Sequence, residues 1–372
     1  MKHVLNIILL LTSLLVVLEA SLRLLQSELA PFVSREYFPC IYAEDPLTGY
    51  KYKPNITGRI SRNIEMDNIV KINSKGFHDI EHTLGKPSYK RKIVAIGDSF
   101  TSSLHVPIAH TWTQVLGREL RQPDDEISTE VFNLGLDGTG TDVHLLILQN
   151  NLSTYEPDIV ILAFYENDIQ DLQRSMRFRE CYQGHVLVFE NQYQKEELER
   201  YVDTHKPGST GRWMFDNIYV FRLANWLAEQ LLGAGPLLSR NYVSPSMVSK
   251  HVPKSQVHPH NIDKYLVELN YLSKQHGFRL LIIPVPTKDS KTGSFQLLTE
   301  QASPEVLEDL EIIDVSKHIE QLIKKRGIVY GDLFWKYDGH FNAVGNEIFG
   351  AACALVLREY EVIATGNRSP HN

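Results

Sequence analysis

Lys92-Ile93-Val94-Ala95-Ile96-Gly97-Asp98-Ser99-Phe100 is the stretch on which the fold turns. Ile93 to Ile96 are apolar without interruption, so a strand made from them has no polar face. Such strands belong in a parallel sheet covered by helices on both sides. Gly97, Asp98 and Ser99 then supply turn and helix N-cap chemistry. The pattern recurs downstream, in Glu130-Val131-Phe132-Asn133, in Asp158 to Phe164 and in Arg279 to Val285. Helical stretches alternate with these strands: one around Trp112, Val115, Leu116 and Leu120, one carrying Val143, Leu145, Leu146 and Leu148, and one from Ile262 to Gln275. Ser303-Pro304 reads as an N-cap with proline at the first helical position. Asn342 to Tyr360 closes the series as a helix with Val344, Ile348, Phe349, Leu355 and Val356 turned inward. This rhythm predicts an α/β fold: a doubly wound, mostly parallel sheet with flanking helices.

The rest of the 372 residues is organised around that core. The expected boundaries are a membrane anchor or signal at 1–25, an irregular lead segment at 26–90, the main domain at 91–362 and a C-terminal tail at 363–372. Between about 171 and 261 the alternation breaks down, which reads as an insertion with a hairpin near Gly184 and an amphipathic helix around Val220 to Leu232.

Val4 to Leu18 is almost unbroken aliphatic sequence, interrupted by Asn6, Thr12 and Ser13. As a helix this run spans roughly 23 Å, short of the ~30 Å hydrocarbon core. Ala20, Leu22, Leu24 and Leu25 extend it, with Glu19 and Arg23 at i,i+4 near the far interface. Leu18-Glu19-Ala20 puts a large residue where a signal-peptidase site needs a small one, which favours an uncleaved anchor over a cleaved signal. Lys2 favours an N-inside orientation, with everything after about residue 25 exported.

Composition narrows the function classes. With 38 basic and 45 acidic residues the net charge is -7, and no concentrated basic face is visible, which argues against nucleic acid as a partner. Lys90-Arg91-Lys92 is the longest basic cluster and leads straight into a strand. The cysteines Cys40, Cys181 and Cys353 have no CxxC spacing, so neither a zinc centre nor a redox motif is indicated. Cys353 reads as a buried core thiol, while an exported domain would allow Cys40 and Cys181 to pair. His258-Pro259-His260 lacks a paired carboxylate; no metal and no cofactor is expected.

In an open parallel sheet, ligands bind beyond the carboxyl ends of the strands. The polar residues there are Asp98-Ser99, then Asn133 to Gly138, then Tyr165-Glu166-Asn167-Asp168, with Asp338-Gly339-His340 near the C-terminus. A serine becomes nucleophilic when a histidine takes its proton, and a carboxylate fixes the imidazole tautomer. The oxyanion formed on attack needs preorganised N–H donors. Asp338 is the expected orienting carboxylate, and Asp332, eight residues before His340, is its rival. His105 and His110 follow the nucleophile and could line the pocket, although surface positions are favoured.

In this order the blocks resemble the SGNH hydrolase superfamily, the GDSL-like lipases and esterases, over roughly 91–169 and 279–360. The resemblance implies Ser99 as nucleophile, His340 as base and Asp338 as orienter. It also implies an oxyanion hole from the amide of Ser99, the amide of Gly138 and the side chain of Asn167. Gly345 matches the glycine five residues after the histidine, and Lys71 to Phe77 is similar to the pre-domain of bacterial membrane-anchored members. The chain departs from the pattern at Glu166, where glycine is common, and in its Asp-x-His spacing. The implied activity is hydrolysis of an ester-linked acyl group on a small molecule or a cell-envelope glycan. The alternatives are O-acyl transfer at the same site and a catalytically silent glycan-binding module. No protein partner is indicated.

Overall fold

The structure is a computed structural model that describes residues 2–24, 35–38, 40–62, 66–83, 90–121, 128–172, 178–182, 185–189, 214, 218–221, 223–224, 261–336 and 338–366. The chain forms two compact units. One comprises Met1–Cys40, Arg59–Asp67 and Phe178–Ser255; the other comprises Ile41–Gly58, Asn68–Arg177 and Gln256–Asn372.

The second unit holds the sheet. Its strands are β6 (Lys90–Gly97), β7 (Ser128–Asn133), β8 (Ile159–Phe164), β11 (Arg279–Pro284) and β12 (Glu311–Ile312). They run in the order β12-β11-β8-β6-β7, every pair parallel. Counted along the sheet this is the 2-1-3-4-5 arrangement of doubly wound folds, and the strand order reverses between β6 and β8. On one face Ile93, Ala95, Ile161, Ala163, Leu281 and Ile283 join a core with Trp112, Leu116, Phe349 and Cys353. The alternate residues Val94, Ile96, Val160, Leu162, Leu280 and Ile282 are buried too, so both faces are covered. Helix α3 (Trp112–Leu120) packs against the long C-terminal helix α10 (Ala343–Gly366). Helix α4 (Thr141–Tyr155) packs against β6 and against α6 (Asp263–His276). The short α8 (Pro304–Glu308) begins with Ser303 as N-cap and Pro304 in its first turn, as the sequence suggested.

Three expectations need correction or restriction. The lead segment is not irregular: it contains β1 (Arg35–Phe38), β2 (Tyr42–Asp45), β3 (Gly49–Tyr52), β4 (Thr57–Arg62) and β5 (Met66–Lys71). β5 alternates cleanly, with Met66, Asn68 and Val70 buried, and β2 pairs with β3 as an antiparallel hairpin. Helix α10 runs to Gly366, past the expected boundary at 362, and residues 367–372 lie outside the described residues. Most of the 171–261 insertion also lies outside them, including nearly all of the helix expected at Val220 to Leu232. The hairpin expected near Gly184 is present as β9 (Phe178–Tyr182) paired antiparallel with β10 (His185–Phe189).

In the first unit, α1 (Lys2–Leu24) is, among the described residues, the helix long and apolar enough to cross a membrane. Arg23 Nε donates to Glu19 Oε1 at 2.8 Å, closing the anticipated i,i+4 pair. Glu19 also accepts the backbone N–H groups of Tyr219 and Val220, at 3.1 and 2.9 Å. Cys40 is disulfide-bonded and Cys353 is a free, buried thiol.

Candidate active site

Ser99 is the first residue of the short helix α2 (Ser99–Ser102), immediately beyond the carboxyl end of β6. Asp98 caps this helix, its side chain accepting from the Phe100 N–H at 2.9 Å. The turn requires glycine at 97: a Cβ there would lie 2.2 Å from Thr101 Oγ1 and 2.9 Å from the Ala163 carbonyl. Gly135 is constrained in the same way, since a Cβ would meet the Ser102 amide at 2.3 Å. The loop after β7 therefore lies directly against α2, and Asn133 ties the two together by donating to the Thr101 carbonyl at 2.8 Å.

His340 meets Ser99 across the second unit: Nε2 lies 2.8 Å from Ser99 Oγ. Nδ1 bonds Asp338 Oδ1, which also accepts the His340 backbone N–H at 2.9 Å. A carboxylate on Nδ1 fixes the tautomer, leaving the Nε2 lone pair turned toward the serine hydroxyl. Burial by itself would raise the Asp338 carboxyl, but the hydrogen bond and charge of His340, with the charge of His105, hold it well below the usual carboxylate range. Asp332 takes a different part: its carboxylate accepts the Val329 N–H at 3.0 Å within a turn.

Asp98 behaves in the opposite sense. Burial pushes its carboxyl up to about 6, against the Phe100 N–H, the charge of His340 and the Ser99 hydroxyl. That hydroxyl lies 3.2 Å from Asp98 Oδ2.

Gly138 sits at φ +66, a left-handed conformation that suits glycine. The β2–β3 hairpin determines its setting. Tyr42 and Tyr52 donate to the two carboxylate oxygens of Asp137, at 2.8 and 2.6 Å. Tyr50 donates to the Asp137 carbonyl and lies 3.1 Å from the Gly138 carbonyl. The Asp137 carbonyl and the Gly138 N–H belong to one peptide, and in a trans peptide they point in opposite directions. Tyr50 thus holds that peptide from behind. Asn167 begins α5 (Asn167–Asp171), and its Nδ2 donates to Asp171 Oδ2 at 3.2 Å, which commits one of its two N–H bonds.

Sequence reasoning missed two features. His105 is not at the surface: it is 5% exposed and stacks on His340, with ring centroids 3.9 Å apart and planes at 27°. Phe100 lies on the same imidazole at 5.0 Å, so both rings hold His340 in place. The tyrosines were also unassigned; Tyr50-Lys51-Tyr52 is a strand alternation, but nothing in it names Asp137 as the target. His110, by contrast, is exposed as expected.

Taken together, the sheet order and the position of Ser99 at its switch point define a doubly wound α/β fold with a serine at the ligand-binding rim. No protein-family model and no curated protein sequence matches the chain. Among solved structures, it is similar to a G-D-S-L family lipolytic protein from Desulfitobacterium hafniense DCB-2, with 14% identity, 71% of this chain and 98% of that one covered, and a TM-score of 0.36. It is similar to an alpha/beta hydrolase from the metagenome of Lake Arreo, with 14% identity, 71% and 96% coverage and a TM-score of 0.37. A lipase/acylhydrolase from Enterococcus faecalis is similar at 16% identity, 73% and 96% coverage and a TM-score of 0.35.

Proposed function

We propose that this chain is a membrane-anchored serine esterase that removes ester-linked acyl groups. The observation that carries the reading is the continuous hydrogen-bonded chain from Ser99 Oγ through His340 to Asp338. His340 Nε2 takes the serine proton as Oγ attacks the acyl carbonyl carbon. The Ser99 and Gly138 amides and the Asn167 side chain stabilise the resulting oxyanion. His340 then returns the proton to the leaving alkoxide, and a water activated by the same imidazole hydrolyses the acyl-enzyme.

Helix α1 and Cys40 support an exported location. An apolar N-terminal helix with Lys2 at its start favours an N-inside orientation, with the rest of the chain outside. A disulfide at Cys40 suits an oxidising compartment. An acylated glycan of the cell envelope is then the accessible substrate class, and a sugar hydroxyl in place of water would turn hydrolysis into O-acyl transfer.

A fluorophosphonate probe tests the reading on the detergent-solubilised full chain. Ser99 is the serine expected to be labelled, and Ser99→Ala is expected to abolish labelling and ester turnover. Labelling that persists in Ser99→Ala at the wild-type level refutes it. Product analysis with an added sugar acceptor separates hydrolysis from transfer.

A further inference from the structure

His105 carries no proton in the acyl-transfer reading, and it stacks on His340 with ring centroids 3.9 Å apart. One donor atom from each of His105, Asp338 and His340 falls within 4.8 Å of the others. Two imidazoles and a carboxylate make a ligand set suited to zinc and its divalent neighbours. The His340 side chain is 23% exposed, which gives an ion an approach from solvent.

We infer that His105, Asp338 and His340 form an inhibitory site for a divalent transition-metal ion, zinc above all. Its effect on turnover rests on the esterase reading; the binding does not.

Spacing decides between a resident centre and a reversible one. Tetrahedral zinc at ~2.0–2.1 Å from its ligands holds them about 3.4 Å apart. Donors spread over as much as 4.8 Å must close by an ångström or more, a swing of an imidazole about χ2. A site that needs this adjustment is not a preformed structural centre, and it releases its ion readily.

The inhibition follows from lone pairs. Turnover needs the Nε2 lone pair of His340 for the Ser99 proton and the Nδ1 proton for Asp338. A metal on Nε2 removes the base, and a metal on Nδ1 replaces the bond that orients it. Metal binding and turnover therefore exclude each other at the same imidazole.

Zinc sulfate titrated into the detergent-solubilised full chain tests this with two readouts, calorimetric binding and hydrolysis of p-nitrophenyl acetate. His105→Phe keeps a ring against His340 but removes both nitrogen donors, and His105→Gln guards against a packing artefact of phenylalanine. Wild type and Ser99→Ala are expected to bind a single zinc ion, and wild-type turnover is expected to fall with zinc and return with EDTA. Both His105 variants are expected to need at least about tenfold more zinc for binding and for half-inhibition of whatever turnover each retains. Zinc bound equally well by wild type and by a folded His105 variant overturns the site, because the ion then sits on other histidines. Zinc bound without loss of turnover overturns the inhibition. A chain that binds zinc through His105 but cleaves no ester supports the metal site and removes the esterase reading.

Discussion

The Tyr50 hydroxyl donates to the carbonyl of Asp137, the other half of the peptide whose N–H is that of Gly138. A residue of the lead hairpin thereby sets the direction of an amide at the sheet's rim. Tyr50→Phe is expected to lower kcat about tenfold while KM changes little, because an oxyanion donor acts mainly in the transition state. The lost bond leaves a buried carbonyl short of a donor, at a cost of about 1–3 kcal/mol in stability. An unchanged kcat in a destabilised but folded variant would show that the peptide holds its direction without the tyrosine.

His340→Ala and Asp338→Ala should differ in degree. Without a base the serine hydroxyl stays protonated, so His340→Ala is expected to lose about 10³-fold or more in turnover. Asp338→Ala is expected to lose less, since the carboxylate orients and stabilises without moving the proton. Asp332→Ala is expected to stay near wild type, its carboxylate serving the Val329 turn. Steady-state turnover of the three variants at equal foldedness measures the series, and collapse in Asp332→Ala alone would transfer the orienting role.

Asn167→Ala separates a donor from a turn residue. Its role at the rim predicts a fall in kcat of about 10²-fold with the melting temperature nearly unchanged. Loss of fold in place of loss of turnover would return Asn167 to a helix-start role.

Asp98 gives a pH signature in stability. Its carboxyl is raised from 3.8 to about 6 by burial, so the folded chain binds its proton more tightly than the unfolded chain does. The associated stability is fully present below about pH 4 and is lost as pH rises through about 6. Asp98→Asn removes this titration. Relative to that variant, wild type is expected to lose roughly 2 kcal/mol between pH 4 and pH 7, by denaturant unfolding at each pH. A difference that stays constant across that range would mean Asp98 titrates normally.

The chain has three cysteines, one disulfide-bonded at position 40 and one free at 353. Mass spectrometry of a non-reduced digest is expected to recover Cys40 in a disulfide-linked peptide and Cys353 as a free thiol. A reporter fused after residue 372 and active only in the cytoplasm would contradict the outward orientation.

Legibility differed by element, for physical reasons. β6, β8 and β11 are apolar on both faces, and α10 turns Ile348, Phe349 and Val356 inward at helical spacing, although Val344, expected in the same stripe, is exposed; these periods announce the elements. Asp338 and His340 lie two residues apart, and their contact is nearly local. β2 and β3 are only four residues each, beside turn residues that dominate the local pattern, and so read as irregular. His105 was misplaced because a lone histidine after an apolar residue carries no period at all.

What the sequence determined alone was whatever depends on neighbours along the chain: the strand–helix alternation, the apolar N-terminal helix and the placing of Ser99 just past a strand end. The tertiary structure decided whatever depends on residues far apart in sequence. Tyr50 and Asp137 are 87 positions apart, and Ser99 and His340 are 241 apart. A hydrogen bond or a ring stack forms within a few ångströms in space and leaves no period in the chain. Only the folded sheet, bringing its strand ends to one rim, shows which of these side chains meet.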